Sequence, residues 1–551
     1  MKNKHNKIVF ILLSILGVMG LVATLIYIFH SSTAILTSDS VITDVLSHQQ
    51  RLNNEFFLKT WYYGNEFWIF SLAILTYILS FVIKNNILLR QVSVLITALL
   101  FFFLLLKYCK KTFKLKETLI TIVIFLTGIS YSVLDYFYAF NAYLTVAINS
   151  LFIIYMFYIV MIEENKKKSL LSILLIASLL INVGSLRYFP SLIVPLILTY
   201  ITLILISSKH EKLKDIVSKN KNKFLLISII FIISLAGLGI FLILTNVYHY
   251  EQRAGSMTLS ILDGKILVKK VWAIIQCINN FFGFDNRNNA VTFMTGAQYF
   301  VSNHKDCSIF SILSFTIIIK FIMCLFVMII SPIVLFKNYK KNNKFINFLL
   351  IYNTYSWLFM IIMYIFTNNF FYNYSELKYF LLNIILNLFM SIYVFYNYIA
   401  LNKVKTYIID IFVLLYISSN LYTTYITISD NNTKAINKKY ELVNVLKAND
   451  LYYGYGCFWS GLLTHFLSNY EITVASLEFR DYGLVNYKWY SDEKWYNRKS
   501  DKPVFLIIDN REKKNFDDYI EERYYNPDKI IKVNDFLIYV YNKDPFANVL
   551  E

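Results

Sequence analysis

Charged residues are scarce in this sequence: Asp, Glu, Lys and Arg make up only 16% of its 551 residues, whereas soluble domains carry about 25%. Its five cysteines form no CxxC or CxxH pair, and the sequence contains no P-loop, GxGxxG, HExxH or GxSxG motif. These absences exclude an ordinary soluble protein and the common soluble-enzyme signatures. Hydrophobic residues reach 57% and aromatic residues 18%, which is typical of a protein that crosses a membrane many times.

The positive charge is spread along the chain. The net charge is +18, yet residues 430–551 carry 17 basic and 19 acidic residues, so the excess lies in residues 1–429. There it forms short Lys-rich connections between apolar runs, a pattern typical of cytoplasmic loops in membrane proteins. A nucleic-acid-binding protein would instead gather its basic residues into one patch, and we exclude that class.

Eleven apolar runs are long enough to cross a bilayer, which takes about 20 residues. Placing the Lys-rich connections in the cytoplasm puts the N-terminus inside and the C-terminus outside. A further apolar stretch, residues 67–83, would invert this arrangement if it crossed, so we predict that it lies in the outer interface. The eleven predicted spans are residues 8–29, 87–106, 118–134, 141–161, 170–186, 189–207, 224–246, 310–335, 345–367, 378–400 and 407–427.

The last part of the chain, residues 430–551, has shorter apolar runs and a higher charge density. Its strand–helix alternation predicts a small extracytoplasmic α/β domain that folds by itself. We expect it to lie over the mainly α, polytopic membrane domain (residues 1–429), near the first external segment (residues 30–86). The predicted elements are helices at 434–448, 457–468 and 512–525, strands at 471–479 and 503–509, and a hairpin at 529–542.

The first external segment contains Ser38, Asp39 and Ser40, residues typical of a helix start. Asp39 follows shortly after a span, and a carboxylate there can act as a general base or bind a metal ion; the alternative is a plain helix cap. Asp44 and His48 are four residues apart and share one helix face, a spacing that suits a divalent cation. The alternative for this pair is two ordinary surface residues.

Three further charged residues mark the outer ends of predicted spans. Arg187 stands between two spans in the segment GSLRYFP, and Lys378 opens a late span. Arginine suits phosphate because its fork donates two parallel hydrogen bonds; the alternative for both residues is anchoring at the membrane interface. Asp135 is an outward carboxylate. Because these residues gather at one membrane surface, they favour chemistry on a lipid headgroup.

Several stretches resemble the GT-C superfamily of polyprenyl-phosphate-sugar-dependent glycosyltransferases, in particular the bacterial relatives of protein O-mannosyltransferases and aminoarabinose transferases. The resemblance rests on Asp39-Ser40 opening the first external segment, on WYYGNEFW and YSVLD, on GSLRYFPSLIVP and ELKYFLLN at span boundaries, and on YYGYGCFWSGLLTHFLSN in the tail. It implies a GT-C fold with about eleven spans and interfacial helices.

The resemblance also implies roles for individual residues. Asp39 would be the catalytic base, and Arg187 would bind the donor phosphate. Lys378 stands where the family favours an arginine, so its contact with phosphate is a weaker expectation. The family often has a second acidic residue directly after the base, where this chain has Ser40.

Other implied contacts stay open at this point. Some family members use a divalent cation, Mg²⁺ or Mn²⁺, and others use none. The candidates for a second carboxylate or a metal ligand are Asp44, Asp135 and His48. The candidates for contact with the acceptor or the sugar are Trp61, Tyr62 and Trp459. Packing in a protein core is the alternative for Trp459, and Trp61 and Tyr62 also suit an aromatic belt at the membrane interface.

The implied protein is an integral-membrane glycosyltransferase. It would move a sugar, with inversion, from a polyprenyl-phosphate donor to a glycan or lipid acceptor of the cell envelope, at the outer face of the membrane. Its partners would be the donor, membrane lipid and the acceptor, and no nucleic acid. Two alternatives are a lipid-linked-glycan polymerase, ligase or flippase, and a non-catalytic protein of cell-envelope assembly.

Overall fold

The computed structural model of the protein describes residues 2–64, 66–67, 71–140, 142–165, 167–208, 212–249, 264–283, 312–367, 377–430, 434–480, 483–497, 502–509, 513 and 526–546. These residues form a mainly helical bundle, followed by a six-stranded sheet near the C-terminus. The helix predicted at 512–525 lies, apart from one residue, outside the described part of the chain.

Long helices dominate the chain as far as residue 430. In chain order the helices are α1 (Lys2–Phe29), α2 (Ser38–Asn53), α3 (Leu72–Leu79), α4 (Asn86–Thr112), α5 (Leu115–Leu126), α6 (Tyr131–Leu134), α7 (Ala142–Phe157), α8 (Lys168–Gly184), α9 (Val194–Ser207), α10 (Leu213–Lys219), α11 (Lys221–Val247), α12 (Gly264–Phe282), α13 (Ile312–Leu325), α14 (Ser331–Lys337), α15 (Lys344–Phe366), α16 (Leu377–Val394), α17 (Lys403–Asp430), α18 (Lys434–Ala448) and α19 (Phe458–Leu467). Turns of π-helix continue α6, α7, α13 and α16 and precede α9.

Nine helices among the described residues are long and apolar enough to cross a membrane, and the bent pair formed by α5 and α6 raises the number to ten. The remaining predicted span, residues 170–186, is α8, which is apolar but has only 17 residues. Residues 67–83 contain α3, whose 8 residues cover about 12 Å, too little to cross. A helix therefore stands at each predicted span. Which side of the membrane each end faces stays a prediction.

The sharpest departure from the predicted bundle is the break between α5 and α6, where the chain turns by 88°. Gly128 adopts a φ of +67° at the break, a conformation that favours glycine. Thr24, Lys320 and Thr424 donate hydrogen bonds to carbonyl oxygens freed there, at 2.8, 2.8 and 2.7 Å. Because a free carbonyl inside a bilayer costs several kcal/mol, these donors from three helices stabilise the bend. They also explain how the bundle accommodates the buried Lys320.

Helix α12 is an element that the sequence analysis did not predict, because it lies in the segment 247–309 that was assigned to an external connection. Its buried Lys270 donates to the carbonyl oxygens of Tyr364 and Ile365, at 3.0 and 3.1 Å, where α15 ends. The last carbonyls of a helix have no partner inside the helix, and a cation stabilises them. Lys270 thus fixes α12 to the bundle.

The C-terminal sheet has the strand order β4-β3-β2-β6-β8-β7. Strands β3, β2 and β6 are parallel, with α19 connecting β2 to β3, and the other pairs are antiparallel. The strands are β2 (Tyr453–Cys457), β3 (Thr473–Arg480), β4 (Gly483–Asn486), β6 (Val504–Asp509), β7 (Lys529–Val533) and β8 (Phe536–Tyr541). The predicted helices at 434–448 and 457–468, both predicted strands and the hairpin correspond to elements of this sheet region.

The tail and the first external segment share one hydrophobic core. Strand β1 (Trp61–Tyr62) pairs with β5 (Ser491–Asp492) from the tail, and α2 packs against α19. Val41 and Val45 of α2 lie in the same buried cluster as Phe458 of the tail. Part of the tail's core is therefore supplied by residues far away in sequence, and its folding by itself stays a prediction.

Candidate functional site

Asp39 is the second residue of α2 and lies against the C-terminal region. The helix cap is Thr37, whose N–H donates to Ser40 Oγ at 2.9 Å, so Asp39 is not needed for capping. Ser38 is fully buried, and its hydroxyl lies 2.6 Å from the carbonyl oxygen of Phe458 and 3.0 Å from that of Trp459. These contacts leave the Asp39 side chain exposed. The backbone at Asp39 is therefore held against the tail, and its carboxylate is accessible.

The charge of Lys378 acts on the Asp39 carboxylate. Surrounding protein raises the pKa of Asp39 above its usual value by desolvation, and the charge of Lys378 lowers it in part. The Lys378 Nζ atom also lies 5.1 Å from the centre of the Tyr379 ring and 5.5 Å from that of Tyr143. Since Lys378 is the second residue of α16, a helix long enough to cross the membrane, this cation stands at the end of a span.

Arg187 lies between α8 and α9, and it forms an ion pair with Glu66 of the first external segment. Its guanidinium carbon lies 6.0 Å from the centre of the Tyr379 ring, the ring that Lys378 also contacts. The charge of Lys378 acts on Glu66 as well as on Asp39. The structure thus brings Asp39, Lys378 and Arg187 together in one charged site, with Glu66 as a fourth member.

The sequence analysis missed Glu66. It is the only acidic residue in the aromatic stretch WYYGNEFW, and this isolation was the one signal that pointed to it. Its carboxylate is 5% exposed and is held close to the segment that carries Arg187, because the N–H of Phe67 donates to the carbonyl oxygen of Gly184 at 3.1 Å.

Asp44 and Asp135 do not supply a second carboxylate to this site. Asp44 is buried in an ion pair with Arg90, which also donates to the carbonyl oxygen of Ala139. Asp135 is buried and accepts a hydrogen bond from the hydroxyl of Tyr27. Both expectations are corrected, since each carboxylate binds a donor from a neighbouring helix. Their role is to hold α2 and α6 against the bundle.

The predicted metal ligands do not form a common site. His48 stacks on Tyr470, with ring centres 3.6 Å apart, while Asp44 pairs with Arg90 and Asp135 with Tyr27. In the part of the chain that the structure describes, no three His, Cys, Asp or Glu side chains are grouped as metal ligands. The residues singled out for a divalent cation therefore do not fit one.

The three aromatic candidates have different surroundings. Trp61 is fully buried against Trp495, and Tyr62 is buried against Tyr496, because both belong to the strand that pairs with the tail. Neither the Trp61 ring nor the Tyr62 ring is accessible to a sugar. The prediction that these two residues contact the acceptor or the sugar is therefore corrected. Trp459 is 55% exposed, and its carbonyl oxygen lies beside Ser38. Trp459 thus has an accessible aromatic side chain, and its backbone lies beside the residue that precedes Asp39.

The half-buried His48 and the buried His465 lie where α2 docks on α19, and they predict that this docking weakens in acid. Burial lowers the pKa of His48 to about 3, with the charges of His465 and Arg51 adding to the effect, and burial lowers the pKa of His465 to about 4. Undocked histidines have a pKa near 6.5. The docked form is therefore fully stabilised by these groups above about pH 6.5 and loses that stabilisation as the pH falls below it.

We expect the tail to become more sensitive to proteolysis between about pH 6.5 and 5, a range that lies above most carboxyl pKa values. Limited proteolysis at stepped pH measures this. The control is His48→Phe combined with His465→Gln, which keeps the stacking on Tyr470 and a donor toward the carbonyl of Ile472 but removes the titration. An unchanged pH dependence in this double variant would contradict the prediction.

The fold and the site define a polytopic membrane protein with a carboxylate and two cations grouped where its helices meet the C-terminal region. No protein-family model matches the sequence, and no curated protein matches it. Among solved structures, the chain is similar to the crystal structure of the Archaeoglobus fulgidus oligosaccharyltransferase in the apo form. The TM-score is 0.47 and the identity 12%, and the match covers 92% of this chain and 70% of that one.

Proposed function

We propose that this protein is a membrane glycosyltransferase of the GT-C type, which transfers a sugar from a polyprenyl-phosphate donor to a cell-envelope acceptor at the outer membrane face. The observation that carries the proposal is the grouping of an accessible carboxylate, Asp39, with two cations, Lys378 and Arg187. Inverting transfer from a lipid phosphate needs both: a base for the acceptor and positive charge for the leaving group.

Asp39 acts as the general base in this proposal. It takes the proton of the acceptor hydroxyl while the acceptor oxygen attacks the anomeric carbon of the sugar. The bond between that carbon and the phosphate oxygen breaks, and its electron pair leaves with the polyprenyl phosphate. The raised pKa of Asp39 strengthens it as a base, and the charge of Lys378 limits this rise.

The two cations bind and stabilise the phosphate. When the bond to the sugar breaks, the lipid phosphate gains negative charge. Fixed positive groups in a partly desolvated site stabilise this charge. Lys378 is placed at the end of a span, where the headgroup of a membrane lipid lies, and Arg187 shares the Tyr379 ring with it. The lipid chain then stays in the bilayer between the helices. The proposed steps are assigned to side chains: Asp39 takes the proton, and Lys378 and Arg187 stabilise the phosphate.

The C-terminal region supplies the acceptor side of the site in this proposal. The exposed ring of Trp459 offers a flat apolar face close to Asp39, of the kind that sugars and aromatic groups stack on. A flippase, the main alternative, moves its lipid without breaking a bond and has no use for a base beside the cations. Direct measurement of sugar transfer therefore separates the two functions.

The function is tested by replacing Lys378 with methionine and following transfer of a radiolabelled sugar from polyprenyl phosphate in membranes. We expect transfer to fall about 10²–10³-fold, the usual effect of removing one group that stabilises transition-state charge. Since Lys378 lowers the pKa of Asp39, its loss raises that pKa further. The acid limb of the rate profile then moves to higher pH.

The matched control is Lys269→Met, which removes an exposed lysine on α12 and leaves transfer unchanged. Lys378→Arg keeps the charge and retains most of the activity. Equal transfer by the wild type and Lys378→Met, or a wild type that moves the lipid across the membrane without transferring sugar, would contradict the proposed function.

A further inference from the structure

Glu66 is the one member of the charged site without a role in the reaction. It is buried, and its carboxylate lies on the guanidinium of Arg187 and also accepts a hydrogen bond from Ser185. The backbone around it is tied to the same segment by the bond from Phe67 N–H to the carbonyl oxygen of Gly184. Glu66 therefore holds the side chain of Arg187 from one side.

The other side of Arg187 stays accessible. A guanidinium carries five N–H donors in a rigid planar fork, and Glu66 is bonded through the Nη2 group. The Arg187 side chain is still 27% exposed. The Tyr379 ring lies near the Arg187 guanidinium, and the Lys378 Nζ atom lies near the same ring.

Arginine without such a partner would sample many rotamers, because its side chain is long and flexible. A guanidinium fixed along one edge presents its remaining donors in one orientation, and an oriented fork is what allows two parallel hydrogen bonds to a phosphate. The carboxylate also balances the charge of Arg187 while no donor is bound, since a partly buried cation without a counter-charge is unfavourable.

We propose that Glu66 is a positioning residue, which orients Arg187 so that its free edge faces the phosphate of the lipid-linked donor. This inference rests on the proposed function, since it assigns the residue that organises the phosphate side of the same site. Glu66 does not touch the reacting atoms. It acts on donor binding and leaves the acceptor side, near Asp39 and Trp459, unaffected.

The test compares Glu66→Gln and Glu66→Ala in the full chain in membranes. Glu66→Ala raises the KM for the donor about tenfold, the weight of one well-placed charge-assisted hydrogen bond, and leaves the KM for the acceptor unchanged. Glu66→Gln keeps the shape of the side chain and one hydrogen-bond acceptor, so we expect a smaller increase in the KM for the donor. It also serves as a second variant in case Glu66→Ala misfolds. An unchanged donor KM in a folded Glu66→Ala variant would overturn the proposal.

A charge exchange separates positioning from a purely structural ion pair. Glu66→Arg combined with Arg187→Glu restores an ion pair, so the folded protein is recovered at wild-type yield, but it places a carboxylate at the edge that faces the phosphate. We therefore expect that the exchanged variant does not recover donor binding. Wild-type activity of the exchanged variant would show that the pair only supports the fold.

Binding of a short-chain polyprenyl phosphate, measured by fluorescence, keeps the two proposals apart. Asp39→Asn should bind this probe like the wild type, whereas Glu66→Ala should bind it about tenfold more weakly. Normal sugar transfer by Asp39→Asn would defeat the assigned base and not the positioning role. Equal probe binding by Glu66→Ala and the wild type would defeat the positioning role alone.

Discussion

Replacing Asp39 with asparagine is expected to lower sugar transfer about 10²–10⁴-fold, the usual contribution of a general base. Asparagine keeps the size and shape of the side chain but cannot accept the acceptor's proton. The helix itself should persist, because Thr37 and Ser40 form the cap and Ser38 makes the contacts with the tail. The measurement is transfer from polyprenyl-phosphate-linked sugar in membranes with equal amounts of each variant.

The pH profile gives an independent check on Asp39. Desolvation raises its pKa above the usual value, so wild-type transfer should fall on acidification at a higher pH than for an ordinary aspartate, and this acid limb should vanish from the residual activity of Asp39→Asn. Asp535→Asn removes an exposed carboxylate in the tail and serves as the matched control. Transfer by Asp39→Asn close to the wild-type rate would show that Asp39 is not the general base.

The largest expected effect on stability comes from the buried ion pair of Asp44 and Arg90. Asp44→Asn leaves the guanidinium buried without its counter-charge, which typically costs about 3–5 kcal/mol. The pair joins α2 to α4, and Arg90 also binds the carbonyl oxygen of Ala139. Its loss should therefore loosen the helix that carries Asp39. Thermal unfolding in detergent measures the change.

Two comparisons make this prediction specific. Replacing both partners with apolar residues, Asp44→Leu with Arg90→Met, removes the unpaired charge and should recover much of the stability. Breaking the exposed pair of Lys438 and Asp535 should change stability by only about 0–1 kcal/mol. Equal effects at the buried and the exposed pair would show that the contacts of α2 with its neighbours do not depend on Asp44.

Much of the helical architecture follows from the sequence. Hydropathy marked a helix at each of the eleven predicted spans, because every backbone group in a bilayer must be bonded within its own segment, and long apolar runs have few alternatives. The same reasoning missed the break at Gly128, since its stability depends on donors from three other helices. Such partners are not visible in the local pattern of residues.

The central strand of the tail was missed for a related reason. Its sequence YGYGC has two glycines, which disfavour strands. In the structure Gly454 is paired with Phe505 on the neighbouring strand, and a Cβ at this glycine would collide with that residue. The close approach of the two strands explains the glycine, and it becomes apparent only when both strands are placed side by side.

The site was predictable in part. Asp39, Arg187 and Lys378 carried chemical signals of their own, as charged residues beside apolar runs, and the structure brings them together. The spacing of Asp44 and His48 correctly placed them on one helix face but wrongly suggested a cation site. Their partners, Arg90 and Tyr470, are remote in sequence. A pattern shows which side chains share a helix face and not what that face meets.

The core shared by the first external segment and the tail has a consequence for how the chain is made. Trp61 is synthesised early, whereas its partners around Trp495 follow more than four hundred residues later. At the usual pace of translation this interval lasts roughly 20–90 s. During that time α2 can pack against α3, but the part of its surface that contacts the tail still lacks its partner. The packing of α2, which carries Asp39, against the tail helix α19 therefore forms only after the tail has been synthesised.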